Sequence, residues 1–401
     1  MSLLSVDEAQ ARLLSQVKRM PVEWVGLAEA GGRVLAEDLV ALRTQPPTDV
    51  SAMDGYAVRA AEMGPGVSFE VIGESAAGHP FAGKVGPGEC VRIFTGAAIP
   101  SGADAVVMQE YAEVSEHGVS FTRTERSGTH IRAAGLDFAE GVTGLTSGTQ
   151  LGMGQIGLAA AMNHARLPVS RRPRVALLAT GDELVAPGQA ADASKIVASN
   201  TYAVAELVKE AGGEAVDLGI APDDLDVIRA TLRAALDSGA DIVVLTGGAS
   251  VGDHDYTRPA LLAEGVDIAF WKLAMRPGKP LMFGRHGDTH VLGLPGNPVS
   301  SMVCGLLFLT PLIRAMLGAT DVLPCVETAR LAEPLKANDI RREYLRAILT
   351  PAPDGLVATP VVMQDSSLLS MIAQANGLII RPEYAPPAQP GDRVSVIRLA
   401  G

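Results

Sequence analysis

The chain has 401 residues and a formal net charge of −12, with 47% apolar and 19% charged residues. That length exceeds what one ordinary core serves, so roughly two to four domains are expected. The acidic balance excludes bulk electrostatic attraction to nucleic acid, and any anionic ligand must meet a local basic cluster instead.

The 3 cysteines, Cys90, Cys304 and Cys325, lie far apart and make neither a CxxC nor a Cys/His metal spacing. This argues against a disulfide framework and for a reducing compartment, so a cytoplasmic location is expected. The opening MSLLSVDEAQARLL has no basic segment ahead of an apolar one, and no signal peptide is expected. The most apolar stretch, residues 303–313, is short for a bilayer and contains Pro311, so no membrane span is expected either.

In chain order, Ser5-Val6-Asp7-Glu8 reads as a capping box, followed by apolar residues at helical spacing through Leu13, Leu14 and Val17. Residues 27–39 suggest a second helix, weakened by Gly31 and Gly32. From Pro46 to about residue 131, short β-like runs at 69–72, 90–94, 105–108 and 119–121 alternate with Gly/Pro turns. Residues 152–162 return to a helical pattern. Between 171 and 318 a strand at 175–179 leads into Thr180-Gly181-Asp182-Glu183. Then come a helix at 199–211, a strand at 215–220, a helix at 225–236 and a strand at 242–245. Such alternation predicts parallel βαβ units with right-handed crossovers. The segment 325–399, rich in Pro and β-branched residues, reads as a small β-barrel or sandwich. The expected fold is therefore a multidomain α/β protein. It has a helical region (1–45 and 146–172), an inserted β-rich domain (46–145), a central parallel-sheet α/β domain (173–320) and a C-terminal β-barrel (321–401).

Ligands of open α/β sheets bind beyond the carboxyl ends of the strands. Three polar clusters fall at such ends: Thr180 to Glu183, Asp223-Asp224, and Gly247-Gly248 running to Asp255. The carboxylates Asp182, Glu183, Asp223, Asp253 and Asp255 would converge there, a hard-oxygen set suited to Mg²⁺ bridging substrate phosphates. Asp182 and Asp223 could equally serve only as helix caps. Gly247 and Gly248, with Ser250 and Gly252, could admit a phosphate or pterin close to backbone N–H groups, although a plain tight turn reads the same way. Neither the Walker spacing nor GxGxxG is present, so a P-loop NTPase and a nicotinamide dehydrogenase are unsupported. His79, His130, His254 and His290 show no zinc spacing. In KLAMRPGKP, Arg276 and Lys279 flank a rigid Pro-Gly turn. In LPGNPVS a second rigid turn opens a helix near Val299, with Ser300 beside its N–H groups, an anion-binding arrangement. Two such loops together suggest a tetrahedral oxyanion ligand.

SAMDGYAV (51–58), RIFTGAAIP (92–100), TGDEL (180–184), GGASVGDHDY (247–256), FWKLAMRPGKP and GLPGNPVS occur in that order. Together they resemble the molybdopterin molybdenumtransferase family, the MoeA and gephyrin E-domain group, across essentially the whole chain. The resemblance implies an elongated homodimer whose α/β domain binds molybdopterin. It implies molybdate and adenylylated molybdopterin as substrates, Mg²⁺-dependent cleavage releasing AMP, and molybdenum left on the pterin dithiolene. Expected partners are the molybdopterin adenylyltransferase and molybdoenzyme apoproteins or their chaperones.

Matched motif by motif, the resemblance assigns Asp255 and Ser250 to the cleavage, with Asp223 and Glu183 beside them, and Mg²⁺ to Asp255 and Asp223. Arg276, Lys279 and Ser300 would hold molybdate, joined by Arg346 of EYLRA and Ser366 of QDSS. Lys272, Asp182, Gly247, Gly248, Pro295 and Pro298 complete the substrate-binding set, while Asp54, Thr95 and Asp137 match polar residues of the β-rich region. Arg276 stands where many relatives carry Lys, which replaces a point charge by a planar fork. Ala249 replaces a more usual Val, and QDSS departs from the common QGS. Two alternatives remain at this level. One is the adenylyltransferase of the preceding step, which shares the α/β module, and the other is a non-enzymatic scaffold.

Overall fold

The computed structural model describes residues 3–247 and 256–399. The capping box forms at Val6–Leu14, with Ser5 accepting from the Glu8 N–H and Glu8 reaching back. This helix buries Val6, Ala9 and Leu13 in a core shared with the α/β sheet. Val6 and Leu13 each contribute about 1.5–3 kcal/mol on burial. The helix Met153–Ala161 belongs to a different core, with Leu35, Leu39, Leu167 and Val169.

The helix expected at 27–39 does not form. Leu27–Glu29 makes one 3-10 turn, Gly32 adopts φ +72, and the chain leaves as the short strand Leu39–Val40. A glycine in the left-handed region ends a helix rather than carrying it. Nearby, Val22–Gly26 pairs antiparallel with Arg166–Ser170, so this part of the chain is held by β pairing across a long insertion.

That insertion contains a 6-stranded sheet ordered Ala105–Met108, Gly55–Val58, Glu89–Ile93, Ser68–Ser75, Gly118–Phe121, Ala112–Ser115. The α/β unit holds a 6-stranded sheet ordered Glu214–Ala221, Arg174–Thr180, Ile242–Thr246, Thr289–Leu294, Met282–His286, Asp267–Phe270. Its first four strands run parallel and the last two pair antiparallel. Val175, Leu177, Ile242, Val244 and Leu292 face one core, and Ala176, Leu178, Val243, Leu245 and Val291 face the other. Strands covered on both faces read as continuous apolar runs, and these do.

The strands Val326–Leu331, Arg342–Ala352, Gly355–Pro360, Gly377–Arg381 and Arg393–Arg398 close into a C-terminal barrel, since Arg342–Ala352 pairs with both Gly355–Pro360 and Gly377–Arg381. The stretch around Pro311 behaves differently from the sequence expectation. Pro298–Cys304, a π-helical turn at Gly305–Leu309 and Thr310–Leu317 make one continuous apolar run of 20 residues. The wider turn places Pro311 at the start of the final helical segment, where its missing N–H costs least. Among the described residues this run alone is long and apolar enough to cross a membrane, and 78% of its 18-residue apolar window is buried inside the protein.

Candidate active site

The parallel strands deliver their C-terminal ends to one edge of the sheet. Gly247 ends Ile242–Thr246 with φ +101, and a Cβ there would sit 2.4 Å from the Thr180 carbonyl oxygen. A Cβ added at Gly296 would stand 3.7 Å from the Gly247 Cα, and the Gly296 carbonyl accepts from Asn200 Nδ2 at 2.8 Å. Only glycine lets these strand ends approach so closely. The Thr180 hydroxyl is buried beside Gly247 and has no hydrogen-bond partner among the described residues.

Asp182 and Asp223 meet here in a reciprocal pair. The Asp223 N–H donates to Asp182 Oδ1 at 3.0 Å, and the Asp182 N–H donates to Asp223 Oδ2 at 3.3 Å. Neither residue is a helix cap: Asp224 caps Leu225–Asp237, accepting from the N–H groups of Asp226 and Val227. The carboxylate oxygens not spent in the pair are hard donors of the kind Mg²⁺ takes. Glu183 folds back over Gly181, and Asp182 lines a cavity of about 540 Å³ with Lys195, Tyr202 and Asp217. Among the described residues no three carboxylate, His or Cys side chains cluster as a ready metal site. Gly248, Ser250, Asp253, His254 and Asp255 lie outside the described residues.

Arg276, Lys279, Ser300, Arg346 and Ser366, taken from four separate segments of the chain, line a single cavity of about 350 Å³. Gly278, at φ +106, makes the turn between the first two, with Cys304 Sγ 2.4 Å from where a Cβ would stand. Arg346 is 1% exposed. Its Nη2 donates to the carbonyls of Met363 and Asp365 at 3.1 and 3.2 Å, while Nε is buried without a partner among the described residues. Burial pushes the Arg346 pKa down, opposed by the Asp365 charge. An under-satisfied buried cation is costly without an anion nearby. Lys279 is exposed and makes no ion pair among the described residues. Arg276, by contrast, is paired with Asp339 and Glu343 at 2.6 and 3.3 Å.

The helix opening at Pro298 offers less than expected as an anion site, because the Val299 N–H already donates to the Ser366 carbonyl at 3.1 Å. That bond and another, from Asn297 Nδ2 to Ser366 Oγ at 3.0 Å, bring the QDSS segment onto the helix start. Pro295 and Pro298 shape this turn, Pro298 at the first helical position. Lys272 is not in the cavity lining; its ammonium sits 4.4 Å from the Trp271 ring centroid.

In the β-rich region Asp54 accepts from both the N–H and the hydroxyl of Thr95, each at 2.7 Å, and these bonds hold its carboxyl below the usual range. Asp137 lines a separate cavity of about 650 Å³, built only from residues between Arg43 and Asp137. Two arginines that sequence reasoning missed, Arg43 and Arg132, line it too. Missed as well were Arg341, Glu343 and Gln364, which line the smaller cavity, and Asp339, which pairs with Arg276; isolated polar residues in loops and at a strand start carry no spacing signal.

Residues 4–163 match the family described as MoeA N-terminal region (domain I and II), residues 176–315 the probable molybdopterin binding domain, and residues 328–399 the MoeA C-terminal region (domain IV). The molybdopterin molybdenumtransferase of Bacillus subtilis is 37% identical over 99% of this chain and 94% of its own length. That of Haemophilus influenzae is 34% identical over 98% of each. A solved structure of the molybdopterin biosynthesis MoeA protein from Pyrococcus horikoshii superposes with a TM-score of 0.85 at 29% identity, covering 99% of this chain and 100% of the other.

Proposed function

The chain belongs to the MoeA family and is a molybdopterin molybdenumtransferase, and from that premise we propose how its residues divide the work. The cavity at Arg276, Lys279, Ser300, Arg346 and Ser366 holds molybdate, and the carboxyl ends of the parallel strands hold the adenylylated pterin. The observation that carries this reading is the convergence of these side chains around one small cavity, with the buried Arg346 Nε unpartnered.

Molybdate is a dianion, and charge-assisted donors on fixed loops hold such ligands best. Arg346 supplies a dry, fixed cation and Lys279 a mobile one. Because Ser366 Oγ accepts from Asn297, its own proton is left to point at an oxyanion. At the strand ends Asp182 and Asp223, with Asp255, would hold Mg²⁺, which when bound neutralises charge on the phosphates. The unpartnered Thr180 hydroxyl and the Gly247 approach favour a substrate that brings its own hydrogen-bonding groups.

Exposed Val40, Leu42 and Val142, close together around the pairing of Leu39–Val40 with residues 143–145, support a homodimer. Cys90, Cys304 and Cys325 are all free thiols, which supports a cytoplasmic enzyme. Partners would be the adenylyltransferase that supplies the substrate and the apoproteins or chaperones that take the product.

The test is AMP release from adenylylated molybdopterin with Mg²⁺, with and without molybdate, in wild type, Lys279→Ala and Asp223→Asn. Molybdate-dependent release is expected. Lys279→Ala should raise the molybdate requirement about tenfold or more, and Asp223→Asn should lower turnover at saturating molybdate. Release that ignores molybdate, or a Lys279→Ala enzyme with an unchanged requirement, would reject this assignment.

A further inference from the structure

Of the cations lining the small cavity, Arg276 and Arg341 are committed to carboxylates, and both meet Asp339. Arg276 Nη2 donates to Asp339 Oδ2 at 2.6 Å and its Nη1 to Glu343 Oε1 at 3.3 Å. Two acidic groups beside an anion site oppose the ligand by simple charge. A residue needed only for its charge would not be paired in this way.

The pairing makes sense as geometry. A guanidinium has five N–H donors in a rigid plane, so spending two leaves three with a fixed direction, whereas an ammonium has three in all. The partners are themselves fixed. Asp339 accepts from the Arg341 N–H at 2.9 Å and from its Nη2 at 3.0 Å. These bonds to Arg341, followed by the nearby Arg276 charge, bring the Asp339 carboxyl down to about 2. The preceding Asn338 donates to the carbonyls of Arg341, Arg381 and Pro382, locking the turn onto the barrel.

The backbone of the loop is pinned as well. Met275–Arg276 runs parallel to Arg342–Ala352, with Arg276 opposite Glu343. On its other side Ala274 donates to the Leu4 carbonyl at 2.7 Å, and Leu4 donates to that of Lys272 at 3.2 Å. Arg342, whose N–H holds the Ala274 carbonyl, grips Asp7 with both ends of its guanidinium at 2.6 and 2.8 Å. The loop is therefore a strand added to the C-terminal barrel, and the side chain of Arg276 is aimed by that barrel.

We propose that Asp339 and Glu343 are positioning residues that aim the Arg276 fork into the oxyanion cavity, so that the C-terminal barrel sets the affinity for the tetrahedral anion through Arg276's orientation. This rests on the assignment of the cavity to molybdate. The sign of one substitution separates aiming from mere proximity. Neutralising a bystander carboxylate relieves repulsion and tightens the anion, whereas neutralising an aiming carboxylate loosens it.

The experiment measures molybdate binding by calorimetry, together with KM for molybdate and kcat, on full-length wild type, Asp339→Asn, Asp339→Glu, Arg276→Lys, the Asp339→Asn/Arg276→Lys double variant and Lys279→Ala. Asp339→Asn should weaken molybdate about tenfold, the equivalent of one misaimed charge-assisted bond, and should raise KM more than it lowers kcat. Asp339→Glu should recover part of the loss. The double variant should bind no worse than Arg276→Lys, because Asp339 acts through Arg276. Tighter or unchanged binding in Asp339→Asn, or fully additive losses in the double variant, would overturn the proposal while a Lys279→Ala defect left the molybdate site standing. Indifference of Lys279→Ala as well would overturn both.

Discussion

His290 offers a test of the core that is independent of the chemistry. It lies in Thr289–Leu294, 2% exposed, stacked on Phe283 with ring centroids 5.9 Å apart, and its Nδ1 has no hydrogen-bond partner among the described residues. Burial, reinforced by the Arg285 charge, lowers its pKa from 6.5 to about 4. The folded state therefore holds neutral imidazole while the unfolded chain takes up a proton below pH 6.5. Stability is undiminished above that value and is lost as pH falls through the window from 6.5 to 4. Between pH 7.5 and 5.0 the linkage relation gives a loss of about 2 kcal/mol from this residue, an order-of-magnitude figure. The assay is chemical denaturation of wild type and His290→Gln at both pH values. Each protein is compared with itself, so any constant cost of the substitution cancels. The wild type should lose about 2 kcal/mol more than the variant on acidification. Equal losses would refute the reasoning. A larger loss in the variant would mean that the imidazole is protonated in the fold.

Gly278→Ala should destabilise the protein by about 2 kcal/mol or more, since the new Cβ meets Cys304 Sγ at 2.4 Å on a backbone at φ +106; thermal unfolding checks it, and an unchanged midpoint would contradict the geometry. Asp224→Ala should cost about 1 kcal/mol by removing the cap of Leu225–Asp237. Asp223→Asn, one residue away, should change stability little and impair AMP release instead. Exchanged outcomes in the pair would mean that the capping and substrate roles are assigned the wrong way round.

Local regularities of the chain were legible from the residues. Alternating apolar runs and amphipathic helices located the parallel sheet, because burial on both faces leaves a continuous apolar stretch that needs no partner to be recognised. The capping box at Ser5 was readable for the same reason, as its donors and acceptors lie three residues apart. Reading failed where a local pattern was overruled. Gly31-Gly32 ended the supposed helix at 27–39, and the π-helical turn carried the apolar run past Pro311.

What the sequence by itself determined is which residue types are available in which rigid turns: the Pro-Gly loop with Arg276 and Lys279, the Pro298 helix start, and the strand-end carboxylates. Only the tertiary structure decided which of these meet. Arg276 finds Asp339 and Glu343 across 63 and 67 residues of chain, and Asp182 finds Asp223 across 41. Such partners leave no trace in local spacing, because a single ion pair or hydrogen bond is too weak to order its own segment. The packed sheet and barrel order both segments first, and the pairing follows from where they end.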